Sequence, residues 1–205
     1  FHNQGQTYNR LAYDLSGSMY PEIGMTAKQY NYYRLEDVPF YHVPTPTSEL
    51  MYRTGFEQGQ VLDAFMTVNT SPGFNASIGY KGLRSLGKYR HSLSSHGNFS
   101  TTFNYNNKKK TYYLRGQFYS FDFLNSENGG LTEESVINFE INDPNYTDRA
   151  RLDVHYTDAE NMFEGKRYYV DQKLTVFSKK NAQVRKEKAR IRFEKLQDSL
   201  LKVQE

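Results

Sequence analysis

The chain contains no cysteine among its 205 residues and no run of 18 or more apolar residues. The first absence excludes a disulfide framework, a thiolate metal site and a cysteine nucleophile. The second means that no transmembrane helix is predicted. No basic and apolar leader is present at the start, Phe1-His2-Asn3, so we expect a mature or internal segment of a protein.

Aliphatic residues are scarce, whereas aromatic residues are abundant. Hydrophobic residues make up 37% of the chain, yet 18 Tyr and 14 Phe bring the aromatic share to 16%. A helical bundle or a buried parallel sheet needs more Leu, Ile and Val, and an antiparallel sheet with two chemically different faces fits this composition better. The net charge of +3 is too small to indicate nucleic acid as a partner.

Apolar and polar residues alternate with a period of two in segments of about ten residues, the length of a tilted membrane-spanning strand. Six segments carry the pattern. Their apolar sides are Leu62, Ala64, Met66 and Val68; Phe74, Ala76, Ile78 and Tyr80; Phe99, Phe103 and Tyr105; Tyr112, Leu114, Gly116 and Phe118; Ile137, Phe139 and Ile141; and Ala150, Leu152, Val154 and Tyr156. Alternation alone fits a membrane barrel and a soluble β-sandwich equally.

Connector lengths favour the barrel. Tight turns are predicted at 70–73 and 107–110, long loops at 84–96 and 122–134, and a short connector at 143–145. Outer-membrane barrels alternate short periplasmic turns with longer external loops in this way, whereas a sandwich has no reason to do so.

Further strands are predicted at 49–57 and 166–177, and weaker ones at 7–15 and 26–37. Three prolines, Pro39, Pro44 and Pro46, exclude a central strand at 38–47. From Lys179 onwards the pattern changes to a charged amphipathic helix, with Ala182, Ala189, Phe193, Leu196, Leu200 and Val203 on one stripe. The predicted fold is therefore all-β: an antiparallel up-and-down transmembrane β-barrel, or part of one, over residues 1–178, with a charged helical segment at 179–205, expected in the periplasm.

No catalytic constellation is recognisable, and we predict no enzyme activity, no cofactor and no metal site. His91 and His96 share a predicted loop but have no acidic partner near them in the sequence, and solvated residues are the simpler interpretation. Charges on the polar sides of the predicted strands are the candidate functional residues, because charges facing a water-filled lumen determine which solutes pass. The predicted lumen-facing residues are Asp63, Lys81, Arg115, Glu140, Arg151 and Asp153. Mutual pairing that only fills a narrow barrel is the open alternative.

Several segments resemble the putative porin family of Bacteroidota outer membranes. They are Glu49-Leu50-Met51-Tyr52, 57–65, 68–72, 80–89 and 124–132. The resemblance implies an outer-membrane β-barrel with a porin role, located in the bacterial outer membrane and in contact with its lipid. Members of that family are longer, which implies that this chain is an N-terminal or internal part of a larger barrel.

Two other functions stay open. The charged segment 179–205 could dock other outer-membrane or periplasmic proteins, which would suit a non-conducting barrel subunit of a secretion or uptake assembly. A soluble secreted β-sandwich could instead bind glycans through tyrosine pairs such as Tyr112-Tyr113 and Tyr168-Tyr169.

Overall fold

The computed structural model describes residues 3–6, 31–55, 58–176 and 186–193. Six antiparallel strands form a single sheet in the order of the sequence. They are β1 (Thr47–Gly55), β2 (Gly59–Ser71), β3 (Phe74–Ser85), β4 (Ser94–Asn106), β5 (Tyr112–Ser126) and β6 (Glu160–Leu174). β1 and β6 each pair with one neighbour, so the described sheet is open and corresponds to part of an up-and-down barrel.

Short turns connect the strands at one end of the sheet, which we call the turn end. Pro72 and Gly73 link β2 to β3, and residues 107–111 link β4 to β5. In the second turn the side-chain oxygen of Asn107 accepts hydrogen bonds from the backbone N–H groups of Thr111 (2.8 Å) and Tyr112 (3.3 Å). Asn is favoured in such turns because its side chain bonds to nearby backbone groups, and Gly is favoured because it tolerates tight backbone geometry.

The opposite end, the loop end, carries the connections 56–58, 86–93 and 127–159. The alternation of short and long connectors is therefore confirmed from β2 to β6, whereas the β1–β2 connection at the loop end is short. The connection 127–159 contains the helix α1 (Glu133–Glu140) and two single-turn 3₁₀ helices. Asn3 also lies at this end, where its buried side chain donates to the carbonyl oxygens of Ser85 and Ser92.

Strands predicted at 136–142 and 149–156 are wrong. Thr132 caps α1 by accepting a hydrogen bond from the N–H of Ser135, with Glu133 and Glu134 in the first turn. An N-terminal cap followed by acidic residues favours a helix. Asp148 caps the second 3₁₀ turn in the same way. The predicted connector at 143–145 accordingly joins no strands.

The remaining sequence predictions have mixed outcomes. Residues 31–37 form no strand, contrary to the prediction for 26–37, and the predicted strand at 7–15 lies outside the described residues. Residues 186–193 are helical, as predicted for this part of the tail. The predicted boundary at 178/179 also lies outside the described residues. None of the described helices is long and apolar enough to cross a membrane.

Side chains of neighbouring strands interlock where glycine faces an aromatic ring. The Phe103 ring occupies the space that a side chain at Gly116 would need, and the Phe121 ring does the same at Gly165. A ring covering a cross-strand glycine restores packing that the glycine itself cannot provide. The buried cluster of the sheet lies around Tyr119, Phe121 and Phe123 on β5.

Candidate functional site: the two faces of the sheet

One face of the sheet exposes large apolar side chains, and we call it the apolar face. The strand register places the predicted apolar sides of β2, β3, β4 and β5 on this same face. It carries every large apolar strand residue that is at least 40% exposed: Leu50, Tyr52, Met66, Ile78, Tyr80, Tyr105, Met162, Tyr168, Val170 and Leu174. Such a large contiguous apolar surface indicates contact with protein or lipid rather than water.

The apolar face has a sloping border towards the loop end. The last apolar residues before that border pair across the strands as Tyr52 with Leu62, Tyr80 with Phe99, and Phe118 with Tyr168. The residues of β3 at the same level as these three pairs are, in the same order, Gly82, Tyr80 and Ile78. The border therefore shifts by two residues along the strand direction for every two strands crossed. With a rise of about 3.3 Å per residue and about 4.8 Å between strands, this slope corresponds to a strand tilt of about 35°, as in membrane barrels.

Aromatic residues mark both borders of the apolar face. Five of the six residues in the three border pairs at the loop end are Tyr or Phe. Towards the turn end, Tyr105 and Tyr112 lie with ring centroids 6.5 Å apart, and Phe74 is level with Tyr105. Beyond the loop-end border the same face is mostly polar. Its apolar exceptions are Leu124 and Met162, which pair with each other, and its polar residues are Thr54, Gln60, Arg84, Ser95, Ser120 and Lys166.

The opposite face, the polar face, carries Asp63, Lys81 and Arg115 of the predicted lumen-facing residues. Lys81 lies 3.8 Å from Asp63 on the neighbouring strand, and Arg115 forms an ion pair with Asp171 of β6. Five further charged residues share this face and were not among the predicted lumen-facing residues: Glu49, Arg53, Arg167, Asp171 and Lys173. Their positions in the predicted strands 49–57 and 166–177 were a signal that could have identified them.

Glu140, Arg151 and Asp153 do not lie on the sheet, because the strands expected to carry them do not form. Glu140 ends α1, and Arg151 ends the second 3₁₀ turn. Asp153 pairs with Arg90 of the neighbouring connection at 2.7 Å. These three residues therefore lie in the connections of the loop end and not on the polar face.

Neutral side chains also populate the polar face and bond to one another. Asn75 donates to Thr67 at 3.0 Å and to Asn69 at 2.6 Å, and Ser77 bonds to Thr102 at 2.5 Å. Asn75 and Thr67 are almost completely buried. Buried polar groups persist when they are hydrogen-bonded in this way.

Residues 31–46, which we call the covering segment, lie across the polar face. Tyr32 packs edge-on against Phe121 with ring centroids 5.2 Å apart, and Tyr41 packs on Phe65 at 4.5 Å. The Arg115 guanidinium lies over the Phe40 ring at 5.2 Å. The three prolines exclude a central strand here, as predicted, but the position of the segment on the polar face was not predicted.

A cleft of about 360 Å³ opens beside the covering segment. Burial raises the pKa of the Tyr33 phenol and of the Tyr41 phenol at its wall, so both stay neutral at physiological pH. Carboxylates, phenols, one ammonium group, one amide and one hydroxyl offer hydrogen-bonding partners to a polar solute. The charged and polar side chains lining the cleft are Tyr33, Asp37, Tyr41, Glu49, Asp63, Lys81, Asn98 and Ser100.

The histidine pair and the tyrosine pairs of the sequence separate in space. His91 bonds to the carbonyl oxygen of Ala159 at 2.8 Å, whereas His96 bonds to Asn31 and Asn125 on the polar face. Within the described ranges no three His, Asp or Glu side chains are grouped to hold a metal ion. Tyr112 and Tyr168 lie on the apolar face, and their neighbours Tyr113 and Tyr169 lie on the polar face, so neither pair forms one surface.

A family model described as "Putative porin" matches residues 1–199. No curated protein matches the chain, and no solved structure matches it.

Proposed function

The chain belongs to the family described as "Putative porin", and we propose that it forms part of an outer-membrane β-barrel through which solutes pass passively. In this proposal lipid covers the apolar face and water fills the space at the polar face. The protein resides in the bacterial outer membrane, and its described strands form one arc of the barrel wall.

The sloping, aromatic-bordered apolar face is the observation that carries this proposal. In a soluble sandwich the exposed faces are polar, whereas in a membrane barrel an outward apolar band is flanked by aromatic girdles. The slope of the apolar border adds independent support. A membrane plane meets each tilted strand at a residue that is shifted relative to its meeting point on the neighbouring strand. Charges on the polar face, including Asp63, Lys81 and Arg115, then contact water and passing solutes.

Planar lipid bilayers test the proposal directly. The refolded full-length protein is expected to insert, to migrate differently in gels before and after heating, and to produce discrete conductance steps. Heat-modifiable protein that inserts and never conducts would contradict passive passage while leaving the barrel intact.

The covering segment favours a second candidate function. A barrel whose interior is filled serves as a scaffold, and a non-conducting subunit of a larger outer-membrane assembly would have this property. The described helical residues 186–193 are exposed, including Ile191 and Phe193, which suits the docking of a periplasmic or outer-membrane protein. Under this candidate the bilayer experiment gives insertion without conductance.

A further inference from the structure

The covering segment crosses the polar face from one side of the described sheet to the other. Tyr33 and Arg34 lie against β5 and β6, whereas Val43 lies against Asn69 of β2. Four strand spacings separate β2 from β6, a distance of about 19 Å. Since Pro39, Pro44 and Pro46 have no N–H group to donate, this segment is poorly suited to joining the sheet as a paired strand.

Side chains of the sheet bond to the backbone of the covering segment at both sides. At β2 and β4, Asn69 accepts from the N–H of Val43 at 3.3 Å and Asn104 donates to the carbonyl oxygen of Tyr41. At β5, the hydroxyl of Tyr119 accepts from the N–H of Tyr33 at 3.1 Å. These contacts use neutral groups, which make the weaker class of hydrogen bond.

Several sheet side chains form described hydrogen bonds to the backbone of the covering segment. Among them, Arg167 is the one charged side chain. Its guanidinium donates to the carbonyl oxygens of Tyr33 (2.9 Å) and Arg34 (3.2 Å) and to the hydroxyl of Tyr32 (3.2 Å). The same group lies over the Tyr119 ring at 4.8 Å. The rigid fork of an arginine suits such multiple donation.

Arg115 and Arg167 share the polar face but use their charges differently. Arg115 is paired with Asp171, whereas no carboxylate of the described chain forms an ion pair with Arg167. The charge of Arg167 therefore acts on backbone dipoles of the covering segment, and charge-assisted hydrogen bonds are about twice as strong as neutral ones.

We propose that the covering segment is a constriction of the barrel interior and that Arg167 holds it in place. The inference rests on the proposed function, because a constriction requires a passage. Under that function the polar face lines the passage, and a segment lying across it narrows the open cross-section. Arg167 is a positioning residue: it acts on solute passage only through the segment.

The test combines thiol labelling with conductance in the full-length protein. The 205 residues include no cysteine, so Val38→Cys introduces a single reporter among them at a position that is 6% exposed in the covering segment. In this background Arg167→Gln is compared with Arg167→Lys, which keeps the charge but loses the fork. Lys166→Gln is the matched control, since it removes a positive charge from the same strand on the opposite face. Heat-modifiable migration selects variants that fold.

Arg167→Gln is expected to speed the labelling of Val38→Cys by a water-soluble maleimide about tenfold, the effect of losing a charge-assisted hydrogen bond. The conductance of the same variant, without the reporter, is expected to rise about twofold or more as the passage widens. Arg167→Lys should fall between the wild type and Arg167→Gln, and Lys166→Gln should match the wild type.

Unchanged labelling in Arg167→Gln would overturn the inference whatever the conductance, because the segment would then be held by other contacts. Faster labelling with unchanged conductance would overturn it as well, since the segment would not narrow the passage. If neither wild type nor variant conducts, the proposed passive passage fails and the constriction fails with it, whereas labelling alone still reports whether Arg167 holds the segment.

Discussion

Ile78 is half exposed on the apolar face, between Met66 on one neighbouring strand and Thr101 on the other. Asn75 and Ser77, on the same strand, are buried on the polar face. Residues adjacent in sequence thus occupy opposite environments, because successive side chains of a strand point to opposite faces. At the residue scale, the effect of an introduced charge is therefore expected to depend on the face that carries it and on its level in the membrane.

An Ile78→Arg substitution is expected to reduce the free energy of unfolding in lipid by about 2–4 kcal/mol, the cost of an arginine near the bilayer midplane. Ser95→Arg is the control, since Ser95 lies on the same face beyond the loop-end border. Its cost should be about 0–1 kcal/mol, as for a charge near the interface. Urea unfolding from phospholipid vesicles gives both values, and equal losses would argue against a membrane level on this face.

The sequence pattern predicts on which face a charged strand residue lies, but not with which residue it pairs. Alternation was sufficient to place Asp63, Lys81 and Arg115 on one face, because each lies in a strand with a clear period of two. The partnership of Arg115 with Asp171 depends on the pairing of β5 with β6 across the connection 127–159. Local patterns do not contain that register.

At the scale of elements, the six described strands were all predicted, and the errors lie in the connection 127–159. Ile137, Phe139 and Ile141 alternate as in a strand, but Ile137 and Ile141 are also four residues apart, as on one side of a helix. The capping residue Thr132 and the acidic residues after it were the overlooked helix signals. The location of the covering segment follows from bonds between residues more than 25 positions apart, which sequence patterns do not reveal.

The turn between β4 and β5 is the element whose role is simplest to test, through a substitution at Asn107. Asn107→Ala is expected to cost about 1–3 kcal/mol of unfolding free energy, because two backbone N–H groups of the partly buried turn lose their shared acceptor. Lys109→Ala changes an exposed residue of the same turn and should lie within about 0.5 kcal/mol of the wild type. Chemical denaturation of the refolded protein measures both, and similar values for the two variants would contradict the assigned role of Asn107.

At the scale of the whole molecule, the described sheet is an open arc with an exposed apolar surface on one side and a polar, partly covered surface on the other. The register of the strands makes the apolar border slope from β1 to β6, as expected where strands are tilted in a barrel wall. Membership of the family described as "Putative porin" agrees with this architecture. The two faces of these strands are therefore expected to contact different solvents, lipid at the apolar face and water at the polar face.

Spin labels on β6 measure that difference most directly. Because the 205 residues include no cysteine, single cysteines replacing Tyr168, Tyr169, Val170 and Asp171 can each carry one label in the protein reconstituted into lipid bilayers. Labels at 168 and 170 are expected to collide more often with oxygen, which partitions into lipid, and labels at 169 and 171 are expected to collide more often with a water-soluble nickel chelate. Equal access of the nickel chelate to all four positions would contradict it, because both faces of the sheet would then lie in water.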